Sequence, residues 1–249
     1  MKISILLLKM IKFLTFFFLN FFDFIHKKKI INFFYKNKID LEYIIDVGAH
    51  HGESINLFSK YFKPKKIYSF EASPQNYIIL KKKYNKYNEN LKKIIQIENI
   101  ALGKDNRIQS FNQTNESSSS TFNKINIKSN YFLKKKFFLG QDQDKDFFKT
   151  IELKIISLDS YFLENNLKKI DLLKIDTEGF EYEVLQGLQK NMKHVNYILF
   201  EHHYDDMIKK NYKFKDINKL LKYNNFKLIY KSKMPFRKSF EYIFGKEDI

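Results

Sequence analysis

Short apolar runs that end in an acidic residue, each followed by a stretch of helical character, recur between residues 43 and 203. Tyr43-Ile44-Ile45 runs into Asp46 and a glycine-bearing loop, which is the pattern of a buried parallel strand meeting a helix start. That helix is predicted over Ile55–Tyr61 and stops at Pro64. Lys66–Phe70 reads as a second strand ending at Glu71, and Asn76–Tyr87 as the next helix. Lys93–Ile97 is a third strand, leading into Asn99-Ile100-Ala101-Leu102-Gly103. Ile151–Ile156 is another strand, after which Ser157-Leu158-Asp159 opens a helix. Ile170–Ile175 is the most apolar strand and ends at Asp176, with a helix predicted over Phe180–Leu188. Tyr197–Phe200 is a strand that meets Glu201-His202-His203, and Asp216–Tyr223 is a helix. Phe226–Lys231 and Phe240–Phe244 have no helix between them, so they read as an antiparallel pair.

Strands alternating with helices argue for an α/β fold with a mostly parallel sheet and helices on both faces, closed by an antiparallel C-terminal strand. Ligands of such sheets bind beyond the carboxyl ends of the strands, where Asp46, Glu71, Asp176 and Glu201 all fall. The expected organisation is an apolar and basic helical segment over residues 1–40 and one domain over 41–249.

Two stretches depart from this rhythm. Residues 1–35 hold the apolar runs Ile3–Leu8 and Phe13–Phe22, interrupted by Lys9, Lys12, Asn20 and Asp23. A membrane span needs roughly 18 nearly uninterrupted apolar residues, so this segment reads either as helices packed on the domain edge or as an interfacial helix held to a membrane. Residues 104–150 are polar and include Glu116-Ser117-Ser118-Ser119-Ser120-Thr121 and Gln141-Asp142-Gln143-Asp144. A serine run of this kind is either a linker or a mobile active-site loop.

Composition narrows the field. The chain has 249 residues and no cysteine, which excludes disulfides and cysteine-based zinc sites and fits a reducing, cytoplasmic setting. The formal net charge of +17 invites a polyanion partner. Nearly all of it is scattered lysine, Arg107 and Arg237 being the only arginines, whereas phosphate and base readers favour the planar arginine fork. Nucleic acid is therefore not the expected partner.

The loop Asp46-Val47-Gly48-Ala49-His50-His51-Gly52 lets the backbone turn tightly against a ligand and opens a helix with unpaired N–H groups. The dinucleotide fingerprint is not met, since only Gly48 and Gly52 are present. Glu71 at the next strand end suits the two hydroxyls of a ribose. A nucleoside without a pyrophosphate satisfies both features, and S-adenosylmethionine (SAM) is the common one.

These residues, together with Phe70-Glu71, Pro74 and Asn76, Asn99–Gly103, Ser119-Ser120, Ser157-Leu158-Asp159 and above all Lys174-Ile175-Asp176-Thr177-Glu178-Gly179-Phe180-Glu181 through Gly187, resemble the FkbM family of methyltransferases. The resemblance runs from about Tyr43 to His203. It implies a class I, Rossmann-like methyltransferase fold with a seven-stranded sheet, SAM as methyl donor, and an oxygen acceptor on a sugar, glycan or other small molecule. It further implies that Asp46, Gly48, Ala49, His50 and Gly52 hold the methionine part of SAM, that Glu71 holds the ribose, and that Asn99 or its neighbours meet the adenine. Asp176, Glu178, Glu201 and His202 would face the methyl group and the acceptor. His50 stands where the family commonly has Asn, and Ala72 where it has Pro.

Removing a hydroxyl proton needs a base, for which Asp176, Glu201, His202 and His203 are candidates. A divalent metal held by Asp176, Glu201 and a nearby His is the alternative, and a metal-free site is the reading taken. Glu178 and Glu181 also suit a purely structural role at the helix that follows. Rival functions are an RNA or protein methyltransferase, and an inactive SAM-fold interaction module.

Overall fold

The computed structural model describes residues 22–115, 118–138 and 147–247. Residues 1–21, Glu116-Ser117 and the Gln141–Asp144 run lie outside them. In chain order the elements are α1 (22–36), β1 (Tyr43–Val47), α2 (Glu53–Tyr61), β2 (Lys66–Phe70), α3 (Pro74–Tyr84), α4 (Glu89–Ile94) and β3 (Ile95–Glu98). Then come β4 (Ala101–Gly103), β5 (Arg107–Thr114), β6 (Lys124–Ile125), α5 (Asn130–Phe138), β7 (Phe148–Ser157) and α6 (Leu158–Glu164). The chain continues through β8 (Ile170–Ile175), α7 (Glu181–Gln186), β9 (Val195–His203), β10 (Ile208–Lys209), α8 (Phe214–Tyr223), β11 (Phe226–Lys233) and β12 (Ser239–Lys246).

The central sheet has seven strands in the order β11-β12-β9-β8-β1-β2-β3. Every pairing from β9 to β3 is parallel, and β12 runs antiparallel to both β9 and β11. Each central strand is apolar on both sides because helices cover both faces. Ile45 and Leu173 join one core with Leu158 and Phe162 of α6, Val184 and Leu185 of α7, and Ile217 and Leu221 of α8. Their neighbours Ile44 and Leu172 point the other way, into a second core with Ile30, Ile31 and Phe34 of α1, Ile55 and Phe58 of α2, and Leu80 of α3. The described part of the N-terminal segment is thus a helix packed on the domain. No helix among the described residues is long and apolar enough to cross a membrane.

Local signals set several boundaries. Pro74 follows Ser73, whose hydroxyl accepts the N–H of Asn76 at 3.3 Å, so α3 begins two residues before the apolar pattern does. Ser157 caps α6 in the same way, accepting from Ser160 N at 3.1 Å. The third strand starts at Ile95 rather than Lys93, because Asn88 caps the short helix α4 through Leu91 N at 2.9 Å. Helix α7 is likewise shorter than the pattern predicts. The strand expected near Ile151–Ile156 lies outside the main sheet: β7 joins β4 and β5 in a three-stranded sheet, order β4-β7-β5. The polar region between residues 104 and 150 is therefore folded where it is described, as β5, β6 and α5.

Candidate active site

The tips of β1, β2, β8 and β9 open on one cavity of about 950 Å³. Such a volume is at the upper end for a single small ligand, so there is room for two. One half is lined by Gly48, Ala49 and His50 after β1, Glu71 and Ala72 after β2, and Ile100 to Leu102 near β3. The other half holds Asp176 and Glu178 after β8, Glu201 and His203 of β9, Tyr131 of α5, and Arg237 between β11 and β12. Helix α1 walls the cavity with Asp23, Lys27 and Ile30.

The loop after β1 is held from below. Asp46 is fully buried and does not line the cavity. It pairs across the sheet with Lys174, its register partner on β8, at 3.0 Å. Burial pushes the Asp46 carboxyl up, and Lys174 pulls against that. Lys174 also donates to the Gly48 carbonyl at 3.3 Å and stands 3.5 Å from Asp176. Gly48 has φ +80°, a backbone region open to glycine. Gly52, also at positive φ, precedes α2 and turns the chain rather than touching the cavity. Of the loop residues expected to meet a ligand, Gly48, Ala49 and His50 line the cavity, while Asp46 and Gly52 shape it from behind.

Glu71 is buried yet faces the cavity. One carboxylate oxygen accepts His50 N at 2.7 Å, and the other accepts Ser73 N at 2.9 Å and Asn76 Nδ2 at 3.4 Å. Burial pushes this carboxyl up, and the N–H donors oppose the shift. The oxygen that accepts His50 N keeps lone-pair capacity for a ligand hydroxyl. Asn99 is corrected to a supporting role. Its amide donates to the Glu71 carbonyl at 2.8 Å, and its neighbours Ile100 and Ala101 line the cavity instead.

In the second half, β9 continues as strand through His203, three residues beyond its apolar run. Side chains therefore alternate to the end. Glu201 and His203 face the cavity, and His202 faces away, buried against Tyr204, Tyr212 and Phe214. Burial pushes the His202 imidazole down to about 3. The structure thus replaces His202 with His203 as the cavity histidine. His203 Nε2 stands 3.5 Å from Glu178 and 3.4 Å from Glu201, and Nδ1 stands 3.5 Å from Asp205. Burial works against its charge, but the facing carboxylates of Glu178 and Glu201 win and push it up to about 10. Burial pushes Glu178 up to about 7 despite His203. Burial raises Glu201 as well. Asp176 goes the other way: burial would raise it, and Lys174 with His203 hold it below the ordinary range.

Glu181 takes the structural alternative. Its carboxylate accepts from Gly179 N at 2.9 Å, Thr177 Oγ1 at 3.2 Å and Thr177 N at 3.3 Å, bracing the turn that carries Glu178 at φ +50°. The serine run belongs to the cavity: Ser118 and Ser120 line it, and Thr121 donates to the Glu178 carbonyl at 2.8 Å. Among the described residues the three ligand atoms close enough to share a cation belong to His50, His51 and Glu53, a group that does not include Asp176 or Glu201.

The family profile of the methyltransferase FkbM domain matches residues 46–228. No curated protein matches the chain in sequence. Among solved structures the fold is similar to methyltransferase FkbM from Methylobacillus flagellatus KT, with TM-score 0.53 and 14% identity over 82% of this chain. The match covers 44% of that protein, so this chain spans less than half its length. It is also similar to magnesium protoporphyrin IX methyltransferase from Synechocystis PCC 6803 with bound SAH, with TM-score 0.50 and 10% identity over 92% of this chain and 84% of that one. A protein of the NADB-Rossmann superfamily from Streptococcus agalactiae gives TM-score 0.50 and 12% identity over 89% and 67%. At these identities the structural likeness establishes the fold, that of a class I methyltransferase.

Proposed function

The chain belongs to the FkbM methyltransferase family, and we propose that it moves the methyl group of SAM to a hydroxyl of a sugar, glycan or other small molecule. The observation that carries this is one cavity with two unlike halves. A glycine loop, a buried carboxylate and an apolar wall line the first half, and a His203-bridged carboxylate pair lines the second.

The residues present suit SAM. Glu71 keeps an acceptor site on Oε2 for a ribose hydroxyl, with its carboxylate already fixed by three N–H donors. Ala72, Ile100, Ala101 and Leu102 give a flat apolar flank for an adenine. Gly48, Ala49 and His50 line the cavity together with Asp176, which offers backbone and a carboxylate to the amino-acid end. When bound, SAM supplies an electrophilic methyl carbon: the acceptor oxygen forms a C–O bond to it as the C–S bond breaks, the electron pair stays on sulfur, and S-adenosylhomocysteine (SAH) leaves.

The chain's own part is to place the acceptor and take its proton. Glu178, pushed up to about 7 by burial, is matched to accepting a hydroxyl proton near neutrality. The facing carboxylates favour the cationic form of His203, which suits it to hold Glu178 and Glu201 apart and oriented rather than to serve as the base. Asp176, kept ionised by Lys174, adds negative potential at the strand ends, which favours a sulfonium. Positioning of two bound reactants supplies the remainder of the rate.

Calorimetric titration with SAH tests the first half: micromolar-scale binding is expected, and no binding overturns the reading. Labelled SAM offered with hydroxylated acceptors, with and without a chelator, tests the second; loss of transfer on chelation would restore the metal alternative.

A further inference from the structure

The acceptor half of the cavity carries three lysines outside its ion pairs. The carboxylates there share the nearby cations: Asp176 stands 3.5 Å from Lys174, which also pairs with Asp46, Glu178 and Glu201 both face His203, and Asp23 pairs with Arg237 at 2.7 Å. The ammonium groups of Lys27 on α1, Lys134 on α5 and Lys238 after Arg237 make no hydrogen bond or ion pair among the described residues, yet all three line the cavity. Lys134 and Lys238 are exposed while Glu201 is buried, so these lysines lie at the mouth and Glu201 lies deep.

Lysines are abundant in this chain, and their presence alone would say little. Arginine is different, because only two occur. Arg107 is bonded to Asp105, Gln109 and Glu183. Arg237 makes one side-chain hydrogen bond, to Asp23 through Nη2. A guanidinium has five N–H donors in a planar fork suited to a carboxylate or phosphate. The hairpin that presents it is strained. Pro235 is followed by Phe236 at φ +58°, with Arg237 N bonded back to Met234 O at 3.5 Å. That is the order of a type II turn with phenylalanine where glycine belongs, and such strain persists at sites where the surroundings hold it.

We propose that the acceptor is an anionic hydroxyl compound, whose phosphate or carboxylate is gripped by the free edge of Arg237 with Lys27 and Lys238 flanking it. This places the negative group at the mouth and leaves the hydroxyl to reach Glu178 and Glu201. The substrate class rests on the methyltransferase reading of the same cavity.

The test uses SAH-loaded protein titrated calorimetrically with a hexose phosphate, a hexuronate and the neutral hexose. The two anions are expected to bind at least tenfold more tightly than the neutral sugar, and their order says which anion the site prefers. Arg237→Gln should remove that difference while SAH affinity stays within twofold, and Arg237→Lys should restore only part of it. Asp23→Asn breaks the same contact to α1 but frees the fork, so anion binding should hold or tighten. Equal affinity for all three sugars, binding of neither anion, or equal weakening by Arg237→Gln and Asp23→Asn overturns the inference. Failure of SAH to bind overturns the methyltransferase reading, and anion binding measured without SAH then shows whether the Arg237 site survives it.

Discussion

Gly48 packs so closely against Asp176 that a Cβ built on it would stand 1.9 Å from the Asp176 carbonyl oxygen. The contact is backbone to backbone, between the tips of neighbouring strands β1 and β8, so neither side can swing aside. Gly48→Ala therefore forces the two loops apart and holds alanine at φ +80°. A loss of about 2–4 kcal/mol in unfolding free energy is expected, with SAH affinity reduced as well. At Gly52 the same Cβ would meet the flexible Leu80 Cδ1 at 3.0 Å, so Gly52→Ala should cost only about 1 kcal/mol, mostly through its positive φ. Denaturant titration of both variants checks the contrast, and equal losses would contradict it.

Asp46 and Lys174 show what was and was not legible in the chain. Both lie in motifs that stood out, and Asp46 read as a cofactor residue because the family resemblance implies it at the end of an apolar strand. Their register across β1 and β8 could not be seen without the strand order, and it makes them a buried pair at 3.0 Å. Lys174→Met leaves Asp46 buried without its cation and should destabilise the protein by about 3–5 kcal/mol. Asp46→Asn combined with Lys174→Met should recover part of that, which a double-mutant cycle measures. Additive losses would mean that the pair does not interact.

The position of Glu71 at the cavity was legible because a strand end fixes it. Glu71→Ala should weaken SAH binding about 10- to 100-fold, or about 1.4–2.8 kcal/mol. It also removes the acceptor for His50 N and Ser73 N, so a smaller fall in thermal stability is expected alongside. Unchanged SAH affinity in calorimetry would take Glu71 out of the cofactor site.

His202 and His203 differ by one residue and by a whole face of the sheet. The apolar run ends at Phe200, which hides the fact that β9 keeps its alternation to His203. Arg237 and Lys27 were hidden for another reason: they belong to no motif, and only the packing of α1 and the last hairpin brings them to the cavity. His202→Phe places one ring in an aromatic pocket that already holds Tyr204, Tyr212 and Phe214. Turnover within threefold of the parent is expected. His203→Gln removes the cation between two buried carboxylates and should lower turnover at least tenfold. Steady-state rates of the two variants decide, and the reverse order would return His202 to the site.

With Glu178 as the proposed base, its titration sets the expected pH dependence. The side chain that takes the hydroxyl proton must be ionised, and burial pushes Glu178 up to about 7. Below that value the acid form dominates, so kcat/KM should fall about tenfold per pH unit as pH drops from 7 and level off above it. At the alkaline end His203, pushed up to about 10, loses its proton and ceases to screen Glu178 from Glu201, so a second decline is expected there. Because His203, Glu178 and Glu201 face one another, both limbs report the cluster rather than isolated groups. Glu178→Gln keeps the shape and removes the base. It should lower kcat about 10²- to 10⁴-fold, leave SAH affinity near the parent's, and erase the acid limb. A pH–rate profile of the variant that retained the limb near 7 would move the base to Glu201, the other carboxylate that burial raises beside His203.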